Sequence, residues 1–443
     1  MKLDKKRFFL GKVALSLLGA ACVTVPAWAS AGGTLNIYNW SNYIAPDTIK
    51  NFKKASGLKQ VRYDTFDSND TLNAKLIAGG TGYDIVVPGS NYAQLDIQAG
   101  LFQKLNKADI PNLKNIDPVL LKKLSAVDPG NQHLVIWRWG YFTVGINKQA
   151  VSKALGATPM PANPWDLVFS PKYAKLVSKC GIFLNDSAVD EVPAALNYLG
   201  LPYNSENPED YRKVSAMLRS IKPYVSNISD VGWVDALASN NTCVAVAFSS
   251  DFNIANAQAK AVKAPYTIQT LTPKGAVLFF DTMAIPKDAT NAANAMKFIN
   301  YVLDPKVSAS ITNAVFYPGP VPSSIQYTKK EVATDPAVFL SHDVLESMKP
   351  PLQLNQKIRR LQSRVWTDFR DGNKPSPVAA FAVCPISNIH PESEPKQVIA
   401  AMMATVLAAA LPRAMRTASE KGAEDATNTE LGIIPMITAE LKI

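Results

Sequence analysis

The strongest constraint on this chain is how its periodicity changes between residues 35 and 88. Leu35-Asn36-Ile37-Tyr38 alternates as a strand does, and Asp47 starts a helical stretch ending near Gly57. Residues 60–66 read as a second strand. Asp70 is placed to cap a helix with Leu72, Leu76 and Ile77 on one face, stopped by Gly79-Gly80. Tyr83-Asp84-Ile85-Val86-Val87 is a short apolar strand. This β-α-β-α-β order predicts an open α/β sheet with crossover helices. Ligands of such sheets bind beyond the carboxyl ends of the strands, which points to the loops at 39–43 and 88–91.

The same style continues. Residues 209–221 read as a helix, with Asn207 as cap and Pro208 at its first position. Residues 242–248 form an apolar strand ending in Ser249-Ser250-Asp251, and 276–280 another ending in Asp281. Ala293, Met296, Ile299 and Val302 mark one face of a helix over 291–303, with Pro305 just past its end. Asn313-Ala314-Val315-Phe316-Tyr317 opens a Pro/Gly-rich loop. At 443 residues, 47% apolar and 19% charged, the chain suits two or three folded domains.

The N-terminus bounds the compartment. Lys2, Lys5, Lys6, Arg7 and Lys12 precede an apolar run over 13–25 and then Pro26-Ala27-Trp28-Ala29-Ser30. That pattern is a secretory signal peptide, expected to be cleaved after Ala29. The run is short of the ~20 residues a bilayer span needs. Cys22 leaves lipidation as an alternative, although Leu18-Gly19-Ala20-Ala21 sets the leucine one place too far upstream. Export removes the nucleotide pool, and no Walker A or G-x-G-x-x-G sequence is present. Three His and four Cys argue against a His/Cys metal site, so no cofactor is expected. In an oxidising compartment Cys180 and Cys243 are either a pair or two free buried thiols. Of the net charge of +10, the leader holds +4 and residues 373–443 hold −1. The remaining +7 is spread over the body and does not argue for a nucleic-acid partner.

Strand and loop ends collect aromatic rings and acids: Trp40-Ser41-Asn42-Tyr43, Phe248-Ser249-Ser250-Asp251, Phe279-Phe280-Asp281 and Phe316-Tyr317. Ring faces attract cations and carboxylates bond ammonium groups, so together they suit an organic amine. The same residues also read as core aromatics and helix-capping acids. A serine hydrolase would want G-x-S-x-G, whereas Pro88-Gly89-Ser90-Asn91-Tyr92 lacks the flanking glycines. His133, His342 and His390 stand in no triad context. Two converging carboxylates of a glycosidase stay open as an alternative.

The run Tyr38-Asn39-Trp40-Ser41-Asn42-Tyr43-Ile44-Ala45-Pro46 resembles the opening of periplasmic polyamine-binding proteins of ABC importers, nearest the putrescine-binding type. The resemblance extends from about Leu35 to about Gly372. It takes in Tyr83-Asp84-Ile85-Val86-Val87-Pro88, Asn197-Tyr198-Leu199-Gly200, Cys243-Val244-Ala245, Phe279-Phe280-Asp281 and Val315-Phe316-Tyr317. It implies an α/β, two-lobed, type II periplasmic-binding-protein fold with the ligand between lobes joined by crossover strands. Residues 30–139 and 282–372 would form the first lobe with the C-terminal helices, and 140–281 the second. It further implies ligand contacts from Trp40, Ser41, Tyr43, Phe248, Phe279 and Tyr317. Ammonium-binding acids would be Asp251, Asp281 and Glu191, with Asp190 the alternative to Glu191. A Cys180–Cys243 disulfide is implied as well. No catalysis is implied. The expected partners are a small polyamine and an inner-membrane ABC permease, with the protein itself a monomer.

Three positions depart from the putrescine type: Asn42 replaces an acid, Gly89 a serine and Phe248 a tryptophan. They leave the choice among putrescine, spermidine, cadaverine and agmatine open. A ligand-occupancy sensor and a periplasmic hydrolase are the alternative functions. The resemblance stops before residues 373–443, which carry a 14-residue apolar run over 398–411, a polar stretch over 417–430 and the odd Cys384. That segment reads as a disordered extension, an added helix or a reading-frame change that replaced the natural end, with the last two together favoured.

Overall fold

The computed structural model describes residues 33–273, 275–350 and 352–372. The leader, its cleavage site, Cys22 and the segment from 373 onward lie outside the described residues.

The first sheet is parallel. β1 (Thr34–Trp40) lies between β2 (Gln60–Phe66) and β3 (Ile85–Val86). Leu35 and Ile37 enter one apolar cluster, and Tyr38 enters another on the opposite face. A parallel strand covered on both faces needs such side chains in both directions. The expected helices follow as Thr48–Ser56, ended by Gly57 in the left-handed region at φ 69°, and Asn69–Ala78. Ser68, not Asp70, caps the latter, its hydroxyl accepting from the Thr71 amide at 3.2 Å. Asp70 is one residue inside the helix and accepts from the Tyr92 hydroxyl instead. Leu72 and Leu76 are buried, whereas Ile77 is 69% exposed. One step along a helix turns a side chain by about 100°, which takes Ile77 off the buried stripe.

The second sheet has the order β6-β5-β7-β4-β8, from β4 (Val135–Asn147), β5 (Ile182–Asn185), β6 (Asn227–Ser229), β7 (Val244–Phe248) and β8 (Ile268–Leu271). β5 pairs in parallel with β6 and β7, while β4 runs antiparallel to β7 and β8. β4 is the long element: all 13 of its residues are buried. Its second half lies in this sheet. Its first half pairs antiparallel with β9 (Leu278–Met283), and β9 adjoins the first sheet through Val86 and Ala284. β4 and β9 therefore cross between the two lobes. β9 runs past its expected end, which places Asp281 inside a strand and not after one.

Pro305 lies just past the end of the helix Ala292–Val302, as expected, and is also the first residue of a new one, Pro305–Val315, capped by Asp304. Proline suits that position because its missing N–H would have no intrahelical partner there. The helix Gln356–Asp371, assigned above to the first lobe, packs on the second. Ile358, Leu361, Val365, Trp366 and Phe369 join the core of β4, β5 and β7, and the Trp366 indole donates to Asp186 at 2.7 Å. Its apolar stripe fits the face left by the helices Ala188–Tyr198 and Pro208–Ile221.

Cys180 and Cys243 form a disulfide with Cα atoms 5.4 Å apart, closing a 63-residue separation. It ties the turn before β5 to the start of β7. Replacing both cysteines by alanine is expected to lower the unfolding free energy by about 2–4 kcal/mol. Urea unfolding of the oxidised wild type and of the double variant checks this.

Candidate functional site

The two crossover strands bring acids and rings from both lobes to one place. Asp281 lies on β9 opposite Arg138 of β4, and its carboxylate accepts from the Tyr43 hydroxyl at 2.9 Å. Tyr43 comes from the loop after β1, where Asn42 takes a left-handed conformation at φ 55°. Asp251 opens the helix Asp251–Ala261, three residues beyond Phe248 at the end of β7. Both its oxygens are engaged: Oδ1 accepts from the Tyr317 hydroxyl at 2.7 Å, and Oδ2 from the Trp233 indole at 2.9 Å. Tyr317 is placed by Phe316, which ends the helix Pro305–Val315 at φ 60° and whose carbonyl accepts from Ser250 Oγ at 3.1 Å.

The rings form a chain. Tyr43 meets Tyr317 at 5.3 Å between centroids, Tyr317 meets Phe279 at 5.9 Å, Phe279 meets Phe248 at 5.2 Å, and Phe248 meets Phe142 at 5.6 Å. Steep interplanar angles of 68–79° make these edge-to-face contacts, which aromatic quadrupoles favour. Tyr43, Phe248, Asp251, Phe279, Asp281 and Tyr317 are thus linked through direct contacts.

Loss of water raises both acids. Desolvation pushes the Asp281 carboxyl up to about 7 and the Asp251 carboxyl up to about 6, against the opposing hydrogen bonds from Tyr43, and from Tyr317 and Trp233. The same burial, with the neighbouring carboxylates, drives the Tyr43 and Tyr317 hydroxyls well above their ordinary value, so both stay hydrogen-bond donors.

Trp40 packs against the same apolar cluster as Tyr43 and Tyr317, while the other expected residues make contacts of their own. The Ser41 hydroxyl donates to Asp67 at 2.6 Å on the exposed side. The Trp40 indole donates to the Val87 carbonyl at 2.9 Å, and its ring packs 4.6 Å from Phe66. Glu191 is fully buried on the helix Ala188–Tyr198, and neither carboxylate oxygen has a hydrogen-bond partner among the described residues. Burial and the charge of Asp190 push it well above its ordinary value. Asp190 instead faces a cavity of about 10 Å³ with Phe142, Trp165 and Asn197, and accepts from Ser187 Oγ at 2.5 Å. Its charge reaches Tyr92 of the first lobe. A larger groove, of about 750 Å³, lies apart from both acids, between Lys148, β8 and residues 335–337.

Sequence reading missed Trp233 and Arg138. Trp233 opens a short helix and Arg138 lies inside β4, so neither sits at a strand end, where an α/β sheet places its ligand. Arg138 is 1% exposed and reaches Ser308 and Thr312 at 3.3–3.5 Å, while its Nε has no partner among the described residues. Burial lowers it to about 9, and its charge acts on Tyr43. Gly319 makes room for it, since a Cβ there would lie 2.3 Å from the guanidinium. Gly89 bridges to Asp281, and a Cβ at that position would come within 3.0 Å of Asn69.

The sequence pattern of the family described as bacterial extracellular solute-binding protein matches residues 47–340. The chain belongs to that family. It is 38% identical over 368 residues to the putrescine-binding periplasmic protein SpuD of Pseudomonas aeruginosa, covering 83% of this chain and 99% of that one. It is 36% identical over 369 residues to the putrescine-binding periplasmic protein PotF of Escherichia coli, covering 83% and 98%. The spermidine/putrescine ABC transporter substrate-binding protein PotD of Streptococcus pneumoniae superposes with a TM-score of 0.67 at 26% identity, covering 77% and 100%. Over its whole length, PotD shares the fold of this chain. Among the described residues, no helix is long and apolar enough to cross a membrane.

The raised acids fix the sign of a pH effect. Between the ordinary carboxylate value, about 4, and their folded values of about 6 and about 7, the folded chain holds protons that the unfolded chain has lost. Their contribution to stability therefore falls as pH rises through this window. Asp281→Asn should gain stability relative to wild type at pH 8 and lose that advantage at pH 4.5, as read by urea midpoints.

Proposed function

We propose that this protein is an exported receptor that binds a polyamine, such as putrescine or a spermidine-like amine, between its lobes. It would deliver that ligand to an inner-membrane ABC transporter and perform no chemistry on it. The observation that carries this reading is the pair Asp251 and Asp281, desolvated beneath Tyr43, Phe248, Phe279 and Tyr317. An ammonium group placed there meets charge-assisted acceptors and ring faces together, in surroundings where each is stronger than in water. The names of SpuD, PotF and PotD support the same ligand class.

The tyrosine hydroxyls supply the coupling between binding and closure. Tyr43 and Tyr317 belong to the first lobe's core, whereas Asp251 belongs to the second lobe. A hinge motion that closes the cleft brings Tyr317 to Asp251, so one interface serves the ligand and the closed conformation together. Relatives of this kind work with a permease and from the periplasm, and we assign this chain the same place, as a monomer.

The test is a thermal-shift panel of monoamines, diamines and triamines followed by calorimetry, since a ligand of the native state raises its apparent stability. A diamine or triamine should raise the melting temperature; no shift with any of them would remove the reading. Asp251→Ala should weaken binding by about 100-fold or more, the loss expected when a buried charge-assisted contact is deleted. Affinity should also rise from pH 5.5 to pH 8, because the carboxylates ionise across that range while the amine keeps its proton.

A further inference from the structure

The position of Trp233 is unlike that of any other residue bonded to the two acids. Tyr317 reaches Asp251 from the first lobe's core, while Trp233 reaches it from within the second lobe. Trp233 is the first residue of the helix Trp233–Ala238, which packs directly on the helix Asp251–Ala261. Gly232, at φ 96°, makes the left-handed turn that starts this helix, a conformation L side chains rarely adopt. The indole ring is held edge-on to Phe183 at 6.4 Å. Its N–H points at Asp251 Oδ2, 2.9 Å away.

We infer that Trp233 is the positioning residue for Asp251, fixing Oδ2 from inside the second lobe so that Oδ1 faces the cleft and receives the ligand's ammonium group. This inference rests on the amine-binding reading given above. When the lobes separate, the Tyr317 hydroxyl leaves with the first lobe, and the indole N–H stays. Asp251 then meets an incoming amine already aimed and already stabilised in its ionised form, because a hydrogen bond to the charged form favours that form. Tryptophan suits the task. It donates and never accepts, so it cannot bond a neutral carboxyl's proton and hold the acid in the wrong state. The other titratable groups around Asp251 are Tyr317 in direct contact, Tyr43 and Asp281 beyond it, and Arg138, which acts on Tyr43.

Trp233→Phe keeps the ring and removes only the N–H. Calorimetry with putrescine from pH 5 to pH 8.5 should show affinity about 10-fold weaker at pH 7. The midpoint of the pH dependence should move to higher pH. A merely structural indole would lower the melting temperature and leave that midpoint in place. Unchanged affinity together with an unchanged midpoint overturns the inference. The wild type gives a second measurement that requires no variant to fold. The Trp233 indole resonance, assigned by ¹⁵N labelling, should titrate together with Asp251, and that titration should vanish in Asp251→Asn. An indole resonance that stays constant from pH 5 to pH 8 also overturns it. Failure of the wild type to bind any amine would remove the function proposed above, and the resonance would still decide whether Trp233 governs Asp251.

Discussion

The β4–β9 ladder is the constraint on which the rest of the molecule depends. β4 is buried along its whole length and serves two sheets in turn. Because one continuous strand runs through both, the end of β7 and the middle of β9 are held at a fixed offset. Asp251 follows the former and Asp281 lies on the latter. No separate loop has to bring the acids together. A register slip of one residue would turn Asp281 to the other face and put Phe280 in its place. That is why Asp281, alone among the site's acids, is set within a strand, and why Gly89 and Arg138 are its ladder neighbours.

Around this ladder the structure manages a cost. Two carboxylates taken out of water are each raised toward neutrality, and donors from Tyr43, Tyr317 and Trp233 oppose that rise without cancelling it. The donors are neutral hydroxyls and an indole, so they steady the acids without neutralising their charge. A salt bridge at either acid would do more for the empty protein and would leave less for a ligand cation. Arg138 fits the same logic. It stands in the ladder opposite Asp281 but turns its guanidinium to Ser308 and Thr312, under Gly319, instead of pairing with the acid.

Much of this was legible in the sequence, for identifiable reasons. The first strands and helices could be read because their apolar periods switch cleanly and Gly57 and Gly79 punctuate them. Tyr43, Phe248, Phe279, Tyr317, Asp251 and Asp281 could be found because they sit at or near strand ends, where an α/β sheet places its ligand. Trp233 could not, since it belongs to a short helix whose only relevance is the side of Asp251 it covers. Arg138 lay hidden in an apolar run, where a charge reads as an interruption. Glu191 and Asp190 show the limit of reading by position. Adjacent on one helix, they point about 100° apart, so a single step separates an acid facing a cavity from one that is fully buried. The last helix went to the wrong lobe because an apolar stripe says that it packs and not on what.

The net charge of the body, +7 over residues 30–372, now has a definite bearing. A cationic ligand gains nothing from that total at a distance. At physiological ionic strength charges more than about 8 Å apart through solvent are largely screened. Within the cleft the balance is different. The effective dielectric is lower beside partly buried groups, and two acids sit close to four rings. A surface that is positive on average and a cleft that is negative and aromatic are therefore compatible. The first is felt weakly by everything in solution, and the second strongly by whatever is small enough to enter. For the amine receptor proposed above, this division favours selection by the cleft's shape and hydrogen bonding over non-specific attraction to the surface.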